Sequence, residues 1–128
     1  MKRYLTLFAA FLLAGAMMGE AVIKLEKTSI QLGTFDESEV KTCTFVFTNM
    51  GDEPLIIHQA YSSCGCTVPT FSKDPIKPGE QGEIHVSYNG KGKFPGAFKK
   101  PITVRSNASN PIVRMYIEGV MTVNGKEN

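Results

Sequence analysis

Apolar and polar residues alternate with a period of two along most of this 128-residue chain. From residue 22 onward, no segment carries the period of a helix. Residues 40–49 show the alternation most clearly, with Cys43, Phe45 and Phe47 on one face and threonines on the other. A strand with one buried face and one solvated face produces this pattern. The sequence therefore predicts an all-β domain.

Turn-forming residues separate the strand-like segments. Residues 49–54 combine asparagine, glycine, aspartate and proline, which together end a strand. Pro78 and Gly79 suit the second and third positions of a type II turn, since the third position requires a positive φ. The alternation of apolar residues shifts by one position at Gly33, between Leu32 and Phe35, which predicts a β-bulge. Pro101 predicts a strand beginning or an edge strand, because proline cannot donate a ladder hydrogen bond.

Six or seven short strands at this spacing are typical of a single two-layer domain. We predict an immunoglobulin-like antiparallel β-sandwich of about seven strands over residues 22–121, followed by a polar tail over residues 122–128. A small barrel is the main competing fold. The turns vary in length and character, whereas an up-and-down barrel more often uses uniformly tight hairpins, so the sandwich is favoured.

Residues 1–21 have the pattern of a secretory signal peptide. Lys2 and Arg3 precede an apolar run over residues 4–14, and small residues follow it, so cleavage is expected after a residue between Ala16 and Ala21. The run is shorter than the roughly 20 residues that cross a bilayer. No cysteine follows it to accept a lipid. We expect an exported protein, periplasmic or extracellular, that is soluble rather than lipid-anchored and has no membrane span after cleavage.

The charge balance gives no indication of a nucleic-acid partner. Removing Lys2 and Arg3 with the signal leaves twelve basic residues against twelve acidic ones. The remaining local cluster of lysines surrounds a glycine-rich turn and is interpreted as a solvated hairpin end; it consists of Lys91, Lys93, Lys99 and Lys100. Nucleic-acid binding requires a clustered positive field, so it is not expected.

The segment Cys64-Gly65-Cys66 concentrates the reactive groups of the chain, and Cys43 is the third cysteine. Exported cysteines are usually oxidised, and an odd number leaves one unpaired or intermolecular. In one arrangement Cys64 pairs with Cys66 in a very small, easily reduced ring, in which Gly65 would ease the strain. In another, a disulfide from Cys43 to Cys64 or Cys66 pins the loop to the core. Counting outward from the turn at residues 49–54 places Cys43 level with about Ala60, which makes this second pairing reachable.

A third arrangement is a metal site, in which Cys64 and Cys66 bind a soft ion such as Cu(I). The histidines give it little support, because His85 falls on the polar side of its strand and His58 has an ambiguous register. Structural zinc usually requires two separated pairs of ligands, which the sequence lacks. We predict no metal and no cofactor, with Cys64 and Cys66 as the remaining metal candidates.

The sequence resembles a secreted bacterial family known by number, the domain of unknown function family 1573, over residues 35–119. The resemblance is carried by Phe45-Val46-Phe47-Thr48-Asn49 with Gly51, Pro54-Leu55 and Ile57, Ser63-Cys64-Gly65-Cys66-Thr67-Val68-Pro69, Pro75-Ile76-Lys77-Pro78-Gly79-Glu80, Gly82-Glu83-Ile84, Ser106-Asn107, and Ile117-Glu118-Gly119. It implies a Hydin-like and major-sperm-protein-like branch of immunoglobulin folds, common in Bacteroidetes and often secreted. It implies no catalytic residues, because the function of the family is not established.

We therefore expect a non-enzymatic, exported module that contacts an unidentified protein or cell-envelope component through loops or an exposed strand edge. The alternative is a thiol redox or copper-binding protein that uses the Cys64-Gly65-Cys66 loop. No catalytic residue is predicted, because no nucleophile, base and orienting acid can be grouped along the sequence. The sequence makes no prediction of oligomeric state.

Overall fold

A computed structural model describes residues 19–126 of the chain. The predicted signal peptide lies outside the described residues up to position 18, and so do the last two residues of the predicted tail. Within residues 19–126, no helix has the length and apolar character needed to cross a membrane.

Eight strands form two four-stranded sheets. The strands are β1 (Ile23–Leu25), β2 (Ser29–Asp36), β3 (Lys41–Asn49), β4 (Ile57–Tyr61), β5 (Thr67–Phe71), β6 (Gln81–Tyr88), β7 (Gly96–Ser106) and β8 (Ile112–Thr122). The first sheet has the order β1-β3-β6-β5 and the second has the order β2-β8-β7-β4. The predicted all-β sandwich is confirmed, with eight strands where about seven were expected.

One strand pair departs from the predicted antiparallel arrangement. Strand β2 pairs with β8 in parallel, whereas every other described pair is antiparallel. The chain crosses from the first sheet to the second between Leu25 and Ser29. Strand β2 then runs in the same direction as β8 along the edge of the second sheet.

Alternate residues of the strands fill the space between the two sheets. Phe45 of β3 lies opposite Ile84 of β6 in the ladder, and Phe47 of β3 and Val86 of β6 point to the same side of the sheet; all four side chains are buried. This is the face that the alternation predicted. At one end of this core, the rings of Phe35, Tyr88 and Phe98 pack with centroids 4.5 to 6.0 Å apart, in one stacked and two edge-to-face arrangements. Such aromatic packing stabilises the domain beyond the area that it buries.

The predicted bulge lies at Gly33. The pairing of β2 with β8 shifts between Gln31 and Thr34, and Gly33 has a φ of 81°. Gly79 also has a φ of 81°, and the N–H of Glu80 donates to the carbonyl of Lys77 at 3.0 Å, as a type II turn requires.

Pro101 does not begin its strand, as one reading of the sequence expected, but lies in the middle of β7. The other expectation, an edge position, is met at Pro101, because β7 has no neighbouring strand on one side there. Strand β4 ends at Tyr61, opposite Thr103, so it does not extend as far as Pro101. On that side, the hydroxyl of Ser62 donates to the Pro101 carbonyl at 2.9 Å. A residue without an N–H is tolerated here because no neighbouring strand requires the donor.

The side chain of Asn49 is buried with no exposed area and has every hydrogen-bonding group occupied. Its Oδ1 accepts from the N–H groups of Val22 and Gly51 at 3.3 and 3.0 Å. Its Nδ2 donates to the carbonyls of Glu53 and Ile76 at 2.7 and 2.9 Å. One side-chain amide therefore joins the segment before β1, the β3–β4 connection and the β5–β6 connection.

The packed domain begins before the predicted boundary at residue 22. The N–H of Glu20 donates to Asp52 Oδ1 at 2.8 Å, and the N–H of Asp52 donates to the Glu20 carbonyl at 3.0 Å. Ala21 is 2% exposed, and its carbonyl accepts from the N–H of Ser109 at 2.8 Å. Removing Glu20 and Ala21 would therefore remove part of the folded domain.

Replacing Asn49 with alanine should lower the free energy of unfolding by about 3 kcal/mol or more, because two N–H groups and two carbonyls would lose their partner in a buried site. Urea denaturation measures the loss. Asn89→Ala is the matched control, since the Asn89 side chain accepts one exposed bond from the N–H of Lys91; it should cost less than about 1 kcal/mol. Equal losses in the two variants would contradict the role of Asn49.

A chain that starts at Val22 should be less stable than a chain that starts at Glu20 by about 2 kcal/mol, because it lacks the buried Ala21 and three hydrogen bonds. Urea denaturation of the two purified chains measures the difference, and a chain that starts at Gly19 is the control. Equal stability of the Val22 and Glu20 chains would show that residues 20–21 contribute nothing. We accordingly expect signal cleavage, within the predicted range, to fall before Glu20.

Candidate functional site

Three connections meet at one end of the sandwich, which we call the cysteine end: residues 37–40, 62–66 and 89–95. Two hydrogen bonds between connections hold them together. The N–H of Asn89 donates to the carbonyl of Cys66 at 2.8 Å, and the N–H of Gly92 donates to Glu37 Oε2 at 3.1 Å. The Cys64-Gly65-Cys66 segment therefore lies beside the β6–β7 loop, although the two are 23 to 31 positions apart in the chain.

Cys64 and Cys66 are joined by a disulfide, with their Cα atoms 5.1 Å apart, and Cys43 is free. Of the three arrangements left open by the sequence, the structure adopts the small ring. The N–H of Thr67 donates to the carbonyl of Cys64 at 3.1 Å, which makes residues 64–67 a hydrogen-bonded turn. Gly65 does not take a positive φ, and a Cβ built on it meets no atom within 4 Å. The local backbone therefore does not require glycine at this position.

The expected disulfide between Cys43 and the loop is not formed. Cys43 pairs across β3 and β6 with Val86, and Val86 pairs across β6 and β5 with Pro69. Strand β6 lies between Cys43 and β5, so two strand spacings, roughly 9.5 Å, separate Cys43 from Pro69. Cys66 lies three residues before Pro69, which increases the distance from Cys43. A disulfide cannot join Cα atoms more than about 7 Å apart. Burial also raises the pKa of the Cys43 thiol, which keeps it protonated and unreactive.

The two sulfurs of the disulfide have unequal surroundings. Cys66 is 6% exposed and belongs to the core, whereas Cys64 is only partly buried. The N–H of Cys66 points at Cys64 Sγ, with the two atoms 3.3 Å apart. The hydroxyl of Thr67 lies 3.5 Å from Cys66 Sγ. Cys64 is therefore the more exposed residue of the pair, and Cys66 has a hydroxyl beside its sulfur.

The metal candidates do not come together with further ligands. Across residues 19–126, no group of three His, Cys, Asp or Glu side chains could hold a metal ion. His85 is exposed and contacts Thr44 Oγ1 at 3.0 Å and Glu83 at 3.4 Å, while His58 is exposed on β4. Cys64 and Cys66 offer no thiolate while they are bonded to each other, and thiolate is the form that binds metal.

Exposed apolar side chains gather at the cysteine end. Phe94 is 97% exposed in the β6–β7 loop. Val40, Tyr61 and Val68, between 42% and 54% exposed, lie on the 37–40 connection or at the strand ends next to the 62–66 connection. Single exposed apolar residues are ordinary, but several at one end of a domain are typical of an interaction site. Sequence alternation does not reveal this group, because its members come from four separate segments.

The lysine cluster predicted as a solvated hairpin end is divided by the structure. Lys91 and Lys93 are exposed and flank Phe94 on the loop. Lys99 lies on the outer face of the second sheet, where its Nζ is 3.7 Å from Glu118 and 4.7 Å from the centre of the Tyr116 ring. The cysteine end therefore carries two lysines beside its most exposed apolar side chain.

The four edge strands are each interrupted. In β1, the side chain of Asn110 binds the outward-facing backbone groups of Ile23. The N–H of Ile23 donates to Asn110 Oδ1 at 3.1 Å, and Asn110 Nδ2 donates to the carbonyl of Ile23 at 2.7 Å. In β5, Pro69 lies where the ladder directs polar groups outward, so the edge lacks that donor. Strand β4 has five residues and a register shift, and β2 has the bulge at Gly33. Breaks of these kinds discourage pairing with another strand.

One family profile, described as "Protein of unknown function (DUF1573)", matches residues 23–121, which is nearly the whole described chain. This confirms the family resemblance predicted from the sequence. A comparison with curated proteins finds no significant match.

Three solved structures with this fold are a protein of unknown function from Porphyromonas gingivalis W83, the seventh PapD-like (ASH) domain of human CEP192, and WR4, a C. elegans MSP family member. Their TM-scores are 0.70, 0.66 and 0.50, at 18%, 10% and 10% sequence identity. The matches cover 83%, 84% and 80% of this chain, and 50%, 92% and 99% of the respective structures. The chain thus spans half the length of the Porphyromonas protein. At these identities the likeness establishes the fold, and it confirms the predicted immunoglobulin-like sandwich of the MSP-like branch.

Reduction of the disulfide should leave the domain folded, with a loss of no more than about 1.5 kcal/mol, because the bond closes a loop of only three residues. Denaturation with and without a small dithiol measures the loss, and Cys43→Ser should lose the same amount. A bridge from Cys43 to Cys64 would instead contribute about 3.4 kcal/mol. A loss of that size, absent from Cys43→Ser, would contradict the pairing described.

Proposed function

Because the chain belongs to the DUF1573 family of proteins of unknown function, we propose its role from its own surface: an exported, non-enzymatic immunoglobulin-like module that binds a protein partner through the cysteine end. The observation that carries the proposal is the full exposure of Phe94 among three further exposed apolar side chains. Hiding a phenylalanine from water on binding contributes about 2 kcal/mol, and aromatic residues are common energetic centres of interfaces.

Loops are a better means of contact for this molecule than a strand edge. Each edge carries a proline, a bulge, a register shift or a capping side chain, so an added strand would meet missing or occupied polar groups. The cysteine-end loops meet no such obstacle, and both sheets hold their bases in place. Binding through loops on a rigid sandwich is a general solution for this class of fold.

The chemistry of the surface defines the partner. Phe94 requires an apolar recess, and Lys91 and Lys93 beside it favour acidic groups at the rim of that recess. The partner is therefore a protein with an apolar pocket bordered by carboxylates, in the compartment to which the chain is exported.

Replacing Phe94 with serine should weaken partner binding by at least about tenfold, because the side chain would no longer fill its recess. The measurement is capture from a periplasmic extract of the native host with the immobilised chain, followed by titration of the captured protein against each variant. Met50→Ser is the matched control, since Met50 is 58% exposed at the opposite end of the sandwich. Undiminished binding by Phe94→Ser, or equal losses in both variants, would reject the cysteine end as the contact surface.

A further inference from the structure

We infer that the Cys64–Cys66 disulfide is a reversible two-electron site, which a protein dithiol reduces by attacking Cys64. The docking of that dithiol rests on the binding surface proposed above, whereas the chemistry of the disulfide does not. The partner class is a thioredoxin-type protein that carries two neighbouring thiols.

The disulfide is not needed to hold its loop. The Thr67 N–H to Cys64 carbonyl bond already closes the turn, and the Asn89 N–H to Cys66 carbonyl bond already anchors it to the next connection. The side-chain hydroxyl of Ser62 fixes the start of the loop by donating to the Pro101 carbonyl. Because the closed loop is so short, the covalent bond adds little to these constraints. Its opening therefore leaves the site in place for re-oxidation.

The unequal burial of the two sulfurs gives the reaction a direction. Attack is assigned to Cys64 Sγ because Cys64 is only partly buried, whereas Cys66 is 6% exposed. Cys66 Sγ is then the leaving group, and the Thr67 hydroxyl at 3.5 Å can donate to the thiolate that forms there. Stabilising the leaving thiolate accelerates thiol–disulfide exchange.

The exchange takes two steps. A thiolate of the partner bonds to Cys64 Sγ, the Cys64–Cys66 bond breaks, and Cys66 leaves as a thiolate that takes a proton from water. The second thiolate of the partner then bonds to the partner's own sulfur in this mixed disulfide, and Cys64 leaves as a thiolate. The N–H of Cys66, which lies 3.3 Å from Cys64 Sγ, is positioned to donate to that thiolate before it is protonated. Two electrons and two protons pass from the dithiol to the disulfide.

The surroundings of the disulfide suit docking of a protein rather than attack by a small polar thiol alone. Phe94 on the β6–β7 loop and Val68 at the start of β5 provide exposed apolar area at the same end of the sandwich. The loop that carries Phe94 is hydrogen-bonded to Cys66 through Asn89. A partner that contacts this loop is therefore directed to the end of the sandwich that carries the disulfide.

The probe is a reduced bacterial thioredoxin, together with its variant that lacks the second, resolving cysteine. The chain carries Cys43→Ser throughout, so that only two cysteines report. The resolving-cysteine variant should form a mixed disulfide that peptide mass spectrometry locates on Cys64. Wild-type thioredoxin should reduce the bond at least about tenfold faster than dithiothreitol at equal concentration, a difference of ~1.4 kcal/mol in the barrier. A mixed disulfide on Cys66, or no reduction by thioredoxin while dithiothreitol reduces the bond, would overturn the inference.

Two matched comparisons test the direction of attack and separate it from docking. The thiol of Cys64 in Cys66→Ser should react with iodoacetamide about tenfold or more faster than the thiol of Cys66 in Cys64→Ser; equal rates would overturn the assigned direction. Phe94→Ser should slow reduction by thioredoxin by a larger factor than it slows reduction by dithiothreitol. A failure of the proposed function shows in host-partner capture that is insensitive to Phe94, whereas a failure of this inference shows in the thioredoxin and mass-mapping experiments.

Discussion

The buried amide of Asn49 is the interaction on which the arrangement of one whole end of the sandwich depends. Three connections of different length converge there, and their backbone N–H and carbonyl groups are removed from water. A buried polar group without a partner costs a sizeable share of the stability of a small domain. One side chain with two donors and two acceptor sites satisfies four of these groups at once. The backbone of Asn49 adds bonds to Gly79 and Glu80, so the type II turn is fixed by the same residue.

With one end fixed in this way, the opposite end can carry a different kind of surface. Its connections are joined by backbone bonds at their bases, such as Asn89 to Cys66, and their tips are left exposed. Phe94 and the partly buried Cys64 therefore lie on a rigid support and remain accessible from solvent. In sandwich folds, loops at one end are commonly exposed for contacts, while the strands and the other end keep the domain rigid.

The period of two predicted the inward face of β3 correctly, because which side a residue faces is a local property of a strand. The partners of a strand are not local. Counting residues from a turn placed Cys43 level with Ala60 along the strand direction. That count does not say which strands are neighbours, and β6 lies between Cys43 and the strand that follows Cys66. The role of Asn49 could not be predicted either. The composition of residues 49–54 indicated a turn, whereas the burial of Asn49 depends on segments that meet only in the folded chain.

The same limit explains why the sequence left the pairing of the Cys64-Gly65-Cys66 loop open. A disulfide contributes more to stability when it closes a longer loop, and a bond to Cys43 would have closed a loop of about twenty residues. The bond that forms restricts three, within a turn that its own backbone already closes. The two cysteines also differ in their surroundings, because Cys64 is only partly buried and Cys66 is buried beside the Thr67 hydroxyl. Since stability gains little from this pairing, the difference between its two cysteines is the property that distinguishes the site.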